Sequence, residues 1–153
     1  VFDQGGTLDK FLGDGLMATF GTPETTPQDA ENAINCAIAM QQTMTDWNAV
    51  RTQMGQQTIR LSIGLHCGDV ILGDIGSERR LEYAVLGDVV NVASRLESMS
   101  REMNAKIVIS DQVLQAAGGQ NVAKRRGLTA RGPQPIRGRE ETVSVWTQDL
   151  PAN

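Results

Sequence analysis

The sequence contains few of the residues from which metal and nucleophilic centres are usually recognised. There are one histidine and two cysteines among its 153 residues. Cys36 and Cys67 lack the spacing of a zinc site or a disulfide framework, so we interpret them as reduced, buried thiols of a cytosolic protein. His66 lies within an apolar strand pattern, where a packed or hydrogen-bonded histidine is expected. Zinc chemistry and Ser-His-Asp or Cys-His catalysis are therefore not predicted.

Clusters of positive charge and long apolar runs are also absent. The formal net charge is −4, and no basic block occurs, which argues against nucleic acid as the main partner. No apolar run approaches the roughly 18 residues of a membrane span, and no signal peptide is evident. The common glycine-rich loops for triphosphates and dinucleotides are missing as well. We expect a cytoplasmic location, alone or as the cytosolic domain of a larger, membrane-anchored protein.

The length of the chain and its 40% of hydrophobic residues suit one domain with a buried core. Strands and helices are mixed and several hairpins occur, which predicts an α+β fold or a mixed α/β sandwich rather than a doubly wound fold. The predicted elements are strands Thr7–Leu12 and Leu16–Phe20, a helix from Thr26 to residues 51–56, strands Ile59–His66, Val70–Leu72 and around Tyr83, a helix from Asp88, a strand Lys106–Ser110, a short helix to Ala117, and strands Leu128–Thr129 and Thr142–Thr147.

The most informative stretch is residues 78–97, which indicates a strand, a Gly-Asp turn and a helix. Asp88 is predicted as the N-cap of that helix. Asn91 and Arg95 are four residues apart and therefore share a polar face. An amide and a guanidinium one turn apart can contact a phosphate ester. A solvated helix face is the alternative interpretation of the same spacing.

The first predicted hairpin contains two further candidate residues. Lys10 alternates with Leu8 and Leu12 on a face that we expect to be buried, so its ammonium needs a partner or a route to solvent. It either donates to a ligand or extends to solvent at a sheet edge. Asp14 lies between two glycines at the hairpin tip. It is either a turn former or a carboxylate ligand for a hard cation such as Mg²⁺.

Near the end of the chain, two arginines flank a glycine in the sequence Arg137-Gly138-Arg139. Paired guanidinium groups can bind a phosphate. A solvated turn before the last strand is the other interpretation of this segment.

Taken together, these segments resemble the class III nucleotidyl cyclase catalytic domain, the adenylyl and guanylyl cyclase homology domain. The resemblance is carried by GGTLDKFLGDG at 5–15, IGLHCG at 63–68, GDIGSERR at 73–80 and ERRLEYAVLGDVVNVASRLE at 78–97. These motifs follow in order over nearly the whole chain. The resemblance implies a ferredoxin-like mixed sheet with packed helices.

The resemblance implies a role for each candidate residue. Asp14 matches the second of the family's two metal-binding aspartates, and Lys10 matches the residue that recognises the purine base. Asn91 and Arg95 match the pair that positions the ribose and stabilises the transition state. Arg137 lies where the family usually has a lysine for the terminal phosphates, with Arg139 as a possible shift in register. The implied reaction is attack of the ribose 3′-oxygen on the α-phosphate of ATP, which gives cyclic AMP and pyrophosphate.

The implied active site needs two Mg²⁺ or Mn²⁺ ions and lies between two head-to-tail protomers of a homodimer. In the family, a first strand with the other metal aspartate, followed by helices, precedes the segment that matches Val1. Residues 1–150 are therefore expected to be an N-terminally incomplete catalytic domain, with a tail at 151–153. Without a partner aspartate for Asp14, we expect the isolated chain not to cyclise ATP.

Ala84 departs from the family pattern. Adenylyl cyclases usually have Asp or Thr at this base-contacting position and guanylyl cyclases usually have Cys, whereas a methyl group makes no hydrogen bond. Lys10 still favours adenine, because an ammonium donates to the N1 acceptor of adenine while N1 of guanine carries a proton. ATP is thus the expected substrate, with looser base discrimination. The alternatives are a non-catalytic cyclase-like domain that binds nucleotide or pairs with another protomer, and a guanylyl cyclase.

Overall fold

The computed structural model describes residues 1–77 and 80–150, and side chains in these ranges outside residues 74–84. The described chain is a mixed α+β structure, as predicted. Its strands are β1 (Thr7–Leu12), β2 (Gly15–Thr19), β3 (Ile63–Leu65), β4 (Ile71–Ser77), β5 (Arg80–Leu86), β6 (Ala105–Ser110), β7 (Thr129–Pro135) and β8 (Thr142–Asp149). Its helices are α1 (Asp29–Gln53), α2 (Asp88–Glu102), α3 (Asp111–Ala116) and α4 (Gln120–Arg126). Among these helices, none is long and apolar enough to cross a membrane.

The central feature is a four-stranded mixed sheet in the order β3-β6-β8-β7. β3 and β6 are parallel, whereas β8 runs antiparallel to both of its neighbours. A parallel pair needs a crossover connection, and α2 lies within it. β1 with β2 and β4 with β5 form separate antiparallel hairpins. The sheet is thus one layer, with the two hairpins attached outside it.

Helices cover both faces of the sheet. Alternate residues of β6 point to opposite faces: Ile107 and Ile109 pack with α1, α3 and α4, whereas Val108 packs with α2. Both clusters contain side chains that are fully shielded from solvent, such as Leu114 in the first and Leu96 in the second. The second cluster also contains Ile136, Val143 and Val145. α2 is therefore anchored to the sheet through a hydrophobic core of its own.

The strand predicted over Ile59–His66 is shorter than expected, since β3 covers only Ile63–Leu65. Side chains replace strand pairing upstream of it. The Asn48 side chain donates to the Ile59 carbonyl at 2.7 Å and accepts from the Ile59 amide at 2.8 Å. Buried Gln41 donates to the Leu61 carbonyl at 2.9 Å. These bonds satisfy both backbone groups of Ile59 and the carbonyl of Leu61, so these groups need no neighbouring strand.

Two helix predictions also needed correction. α1 begins at Asp29 rather than Thr26, although the amide of Thr26 donates to the Asp29 carboxylate at 2.6 Å, as in the predicted capping pair. α4 was missed, because Gly118-Gly119 indicated only a loop. It is seven residues long and is held by buried Val122 and Ala123.

The approach of α2 to β3 depends on Gly64. A Cβ at this position would overlap the carbonyl oxygen of Ala93 and the amide nitrogen of Glu97, both backbone atoms of α2. Backbone atoms cannot rotate away as a flexible side chain can. Only glycine therefore allows this distance between the strand and the helix.

We predict that Gly64→Ala destabilises the fold by forcing α2 away from β3, with a loss of about 1–3 kcal/mol or more in the free energy of unfolding. Urea denaturation measures the loss. Gly73→Ala is the matched control, since a Cβ at this strand glycine meets no atom within 4 Å. Equal stability of the two variants would contradict the proposed overlap.

Candidate active site

α2 holds Asn91 and Arg95 one turn apart, and its C-terminal end is tied to the sheet. Near its C-terminus, Arg60 donates from Nη2 to the carbonyl oxygens of Ser100 at 2.9 Å and Ala105 at 3.0 Å. These bonds tie the end of α2 to the start of β6. Asn91 is exposed and Arg95 is half-buried. The helix thus presents an amide and a guanidinium from a rigid support.

Asp88 is the first residue of α2, and its prediction as the N-cap is wrong. Gly87 occupies the N-cap position, and no side chain caps the helix there. The Asp88 carboxylate instead forms an ion pair with Arg139, with Oδ2 3.0 Å from Nη1. An acidic side chain in the first turn still interacts favourably with the helix dipole.

The segment Arg137-Gly138-Arg139 forms a turn against α2. The amide of Arg139 donates to the carbonyl of Ile136 at 3.0 Å, and Gly138 has a positive φ of 79°. A Cβ at Gly138 would lie 3.4 Å from Nη2 of Arg95, so the guanidinium rests against this turn. Arg137 is exposed. Of the two arginines, Arg139 is the one that pairs with the beginning of α2.

His66 lies beside this charged group. Its Nδ1 is 2.9 Å from Oγ of buried Ser110, in agreement with the predicted hydrogen-bonded histidine. Burial lowers the pKa of His66 below its ordinary value, and the positive charge of Arg139 lowers it further, while Asp88 acts in the opposite direction. A neutral His66 is therefore compatible with the Arg139 guanidinium nearby. The neighbouring Cys67 is exposed, contrary to our expectation, whereas Cys36 is buried.

The β1–β2 hairpin forms as predicted, but the expected burial of one of its faces is wrong. Leu12 is 57% exposed, and the strand register shifts between Leu8 and Lys10, which breaks the two-residue alternation. The Lys10 ammonium lies 3.4 Å from Oδ2 of Asp9. Lys10 thus has both a carboxylate partner and access to solvent.

Asp14 lies in the exposed turn of this hairpin, after Gly13 with its positive φ of 63°. Within the described residues, no group of three or more His, Cys, Asp or Glu side chains is arranged to hold a metal ion. Asp14 contributes a single carboxylate, which does not satisfy a divalent cation that prefers several oxygen ligands. The described side chains therefore do not fit the two-ion centre implied by the resemblance.

A mainly apolar cavity of about 670 Å³ separates the β1–β2 hairpin from the sheet. It is lined by β2, α1, β3 and α2, including Met17, Ala37, Leu65 and Ala93. β3 pairs with β6 on one side only. The cavity thus adjoins a strand edge that has no described neighbour.

The base-contacting candidate Ala84 lies on β5, where it is paired with Gly73 of β4. Its side chain is outside the described residues, as are Glu78, Arg79 and the predicted tail at 151–153. Its expected role in base selection stays a prediction.

The family model described as "Adenylate and Guanylate cyclase catalytic domain" matches residues 9–149. "Adenylate cyclase 1" of Rhizobium meliloti (strain 1021) is 31% identical over 141 residues, which cover 92% of this chain and 20% of that protein. "Adenylate cyclase" of Anabaena cylindrica is 30% identical over 153 residues, which cover 95% of this chain and 28% of that protein. The chain thus spans only 20% and 28% of the length of these curated relatives.

Solved structures show the same fold. The adenylyl cyclase CyaB from P. aeruginosa superposes with a TM-score of 0.79 at 29% identity, covering 95% of this chain and 72% of that one. The guanylyl cyclase Cya2 superposes with a TM-score of 0.76 at 33% identity, covering 95% and 71%. Because one acts on adenine and the other on guanine nucleotides, the likeness does not select a base.

We predict that stability increases with pH through the ordinary pKa of His66, which is 6.5. The lowered pKa means that the unfolded state binds a proton more readily than the folded state, so acidification favours unfolding until folded His66 is itself protonated. Urea denaturation at about pH 5 and about pH 7.5 measures the difference. His66→Gln, which removes the only histidine, should reduce it. An unchanged pH dependence in that variant would contradict the assignment.

Proposed function

Because this chain belongs to the adenylate and guanylate cyclase catalytic domain family, we propose that it is part of an adenylyl cyclase that converts ATP to 3′,5′-cyclic AMP and pyrophosphate. The ribose 3′-oxygen attacks the α-phosphorus and loses its proton, and the bond to the bridging oxygen of pyrophosphate breaks. The observation that supports this proposal most is the position of Asn91 and Arg95 one turn apart on α2, with Gly138 against Arg95 and Arg139 paired with Asp88.

In this proposal Asn91 positions the ribose. Arg95 stabilises the negative charge that develops on the α-phosphate, since a guanidinium fixed in advance needs little reorganisation during the reaction. Either Arg137 or Arg139 binds the terminal phosphates. The location of Arg139 beside Asp88 and of Gly138 beside Arg95 supports a phosphate-facing role for this turn.

Lys10 is proposed to donate to N1 of adenine, with Ala84 in the second base-contacting position. The Lys10 side chain is 41% exposed, so its ammonium is accessible to a ligand. ATP is preferred over GTP because N1 of guanine carries a proton and cannot accept. A guanylyl cyclase is the less favoured alternative. It is retained because the methyl group of Ala84 makes no hydrogen bond that would select adenine over guanine.

Asp14 is proposed as one ligand of a Mg²⁺ or Mn²⁺ pair. The remaining ligands must come from outside the described residues, since Asp14 alone cannot hold two ions. We propose that a strand upstream of Val1 supplies the second aspartate and lies beside β3. The apolar cavity between β2 and β3 supports this location. The substrate is bound between two protomers of a homodimer, so that each site is composite.

A non-catalytic cyclase-like domain is the second candidate function, and Ala84 favours it, since its methyl group cannot make the second hydrogen bond to the base. The two functions differ in their dependence on an upstream aspartate. A catalytic domain requires that residue, whereas a nucleotide-binding or pairing module does not.

We predict that the 153-residue chain does not cyclise ATP with Mn²⁺, and that a chain extended upstream through the missing strand does. Cyclic AMP and cyclic GMP are measured with ATP or GTP as substrate. In the extended chain, Arg95→Gln should lower kcat by about 100-fold or more through loss of charge stabilisation. Cyclase activity of the 153-residue chain would contradict the proposal that an aspartate upstream of Val1 is needed to bind the metal ions. An inactive extended chain would favour the non-catalytic domain.

We predict that Ala84→Thr in the extended chain increases the preference for ATP over GTP, because the new hydroxyl accepts from the adenine amino group. The measured quantity is the ratio of kcat/KM for the two nucleotides, with an expected change of about tenfold. Ala84→Val is the matched control, as it has nearly the same shape without the hydroxyl. An unchanged ratio in the threonine variant would argue against contact between this residue and the base.

A further inference from the structure

Three residues of the turn 136–139 contact α2. Ile136 is 2% exposed and packs in the same core cluster as Val92 and Leu96. Gly138 lies against the guanidinium of Arg95. Arg139 pairs with Asp88 at the first residue of the helix. The turn therefore runs along one side of α2.

The spacing of the contacted residues explains this arrangement. Val92 follows Asp88 by four residues and precedes Arg95 by three and Leu96 by four, so these residues form one stripe of the helix. Asn91 lies next to Arg95 on the side away from the buried Val92 and Leu96. The turn thus limits Arg95 on one flank and leaves Asn91 accessible on the other.

The Asp88–Arg139 pair contributes little to global stability, because the Asp88 side chain is 59% exposed and exposed ion pairs contribute about 0–1 kcal/mol. The pair can instead act by holding the turn in place. The turn is anchored by Ile136 at one end, and the ion pair holds its other end to α2. Between these two attachments Gly138 is held against Arg95.

We propose that the Asp88–Arg139 ion pair is a positioning element that holds the turn against α2 and thereby orients the Arg95 guanidinium toward phosphate. This proposal rests on the function proposed above for Arg95. Asp88 acts through Arg139 and Gly138, and it does not touch the nucleotide. It is therefore a positioning residue rather than a catalytic one.

The variant Asp88→Asn distinguishes positioning of the turn from the direct effect of the Asp88 charge on phosphate binding. The substitution removes a negative charge near the phosphate-binding arginines, so electrostatics alone predicts tighter binding of a polyanion. Positioning predicts weaker binding, because the turn is released and Arg95 loses its support. Asp88→Glu retains the carboxylate and should bind like the wild type.

The probe is inorganic tripolyphosphate, titrated by calorimetry into the 153-residue chain in the presence of EDTA. We expect binding by Asp88→Asn to be about three- to tenfold weaker than by the wild type, which lies within the range of coupling energies between neighbouring residues. Glu31→Gln is the matched control: Glu31 forms an ion pair with Arg125 at 3.2 Å, and its substitution changes the charge equally while leaving the turn intact. Tighter binding by Asp88→Asn, or weakening equal to that of Glu31→Gln, overturns the proposal.

A second measurement needs no ligand. In ¹⁵N NMR spectra, the Arg95 Nε–H group, assigned from its loss in Arg95→Gln, should exchange with solvent faster in Asp88→Asn than in the wild type or in Asp88→Glu. Equal exchange rates in all three overturn the proposal. If the wild type does not bind tripolyphosphate, or Arg95→Gln binds it equally well, the proposed phosphate role of Arg95 fails, and the exchange rates then decide the positioning proposal alone.

Discussion

The contact between the backbones of β3 and α2 at Gly64 is the constraint on which the rest of the arrangement depends. β3 and β6 are parallel, so the chain must cross over between them, and α2 is the packed helix of that crossover. The missing side chain at Gly64 lets the helix lie directly on the strand. Val92 and Leu96 then fill the space against Val108 and Val145. With its buried face fixed in this way, the helix has only one orientation in which Asn91 and Arg95 point away from the core.

Charges of both signs lie along one side of the first half of α2. Arg95 and Arg139 bring positive charge to the same region, Asp88 compensates Arg139, and the lowered pKa of His66 keeps a further positive charge away. In the proposed function, an incoming phosphate interacts here with groups that are already oriented, which is the general requirement for electrostatic stabilisation.

Much of the fold was predictable because it rests on local signals. Gly13-Asp14 predicts the first hairpin, and the helical spacing of the apolar residues around Val92 and Leu96 predicts α2. The errors arose where side chains distant in the sequence determine the local structure. Ile59 lies outside a strand because Asn48, eleven residues earlier, satisfies its backbone. Among the candidate residues, the four-residue spacing of Asn91 and Arg95 was readable from the sequence, whereas the pairing of Asp88 with Arg139 was not, since the two residues are 51 positions apart in the chain.

The sequence by itself determined the family, the α+β class and the residues of the candidate site, because motifs and helical periodicity depend on neighbours along the chain. Only the tertiary structure decided that Asp88 pairs with Arg139 rather than capping α2, that Lys10 lies on a half-exposed strand beside Asp9, and that Gly138 lies against Arg95. These outcomes depend on which segments the sheet brings together. Coulombic attraction and close packing act through space, and a linear pattern does not record distances between remote residues.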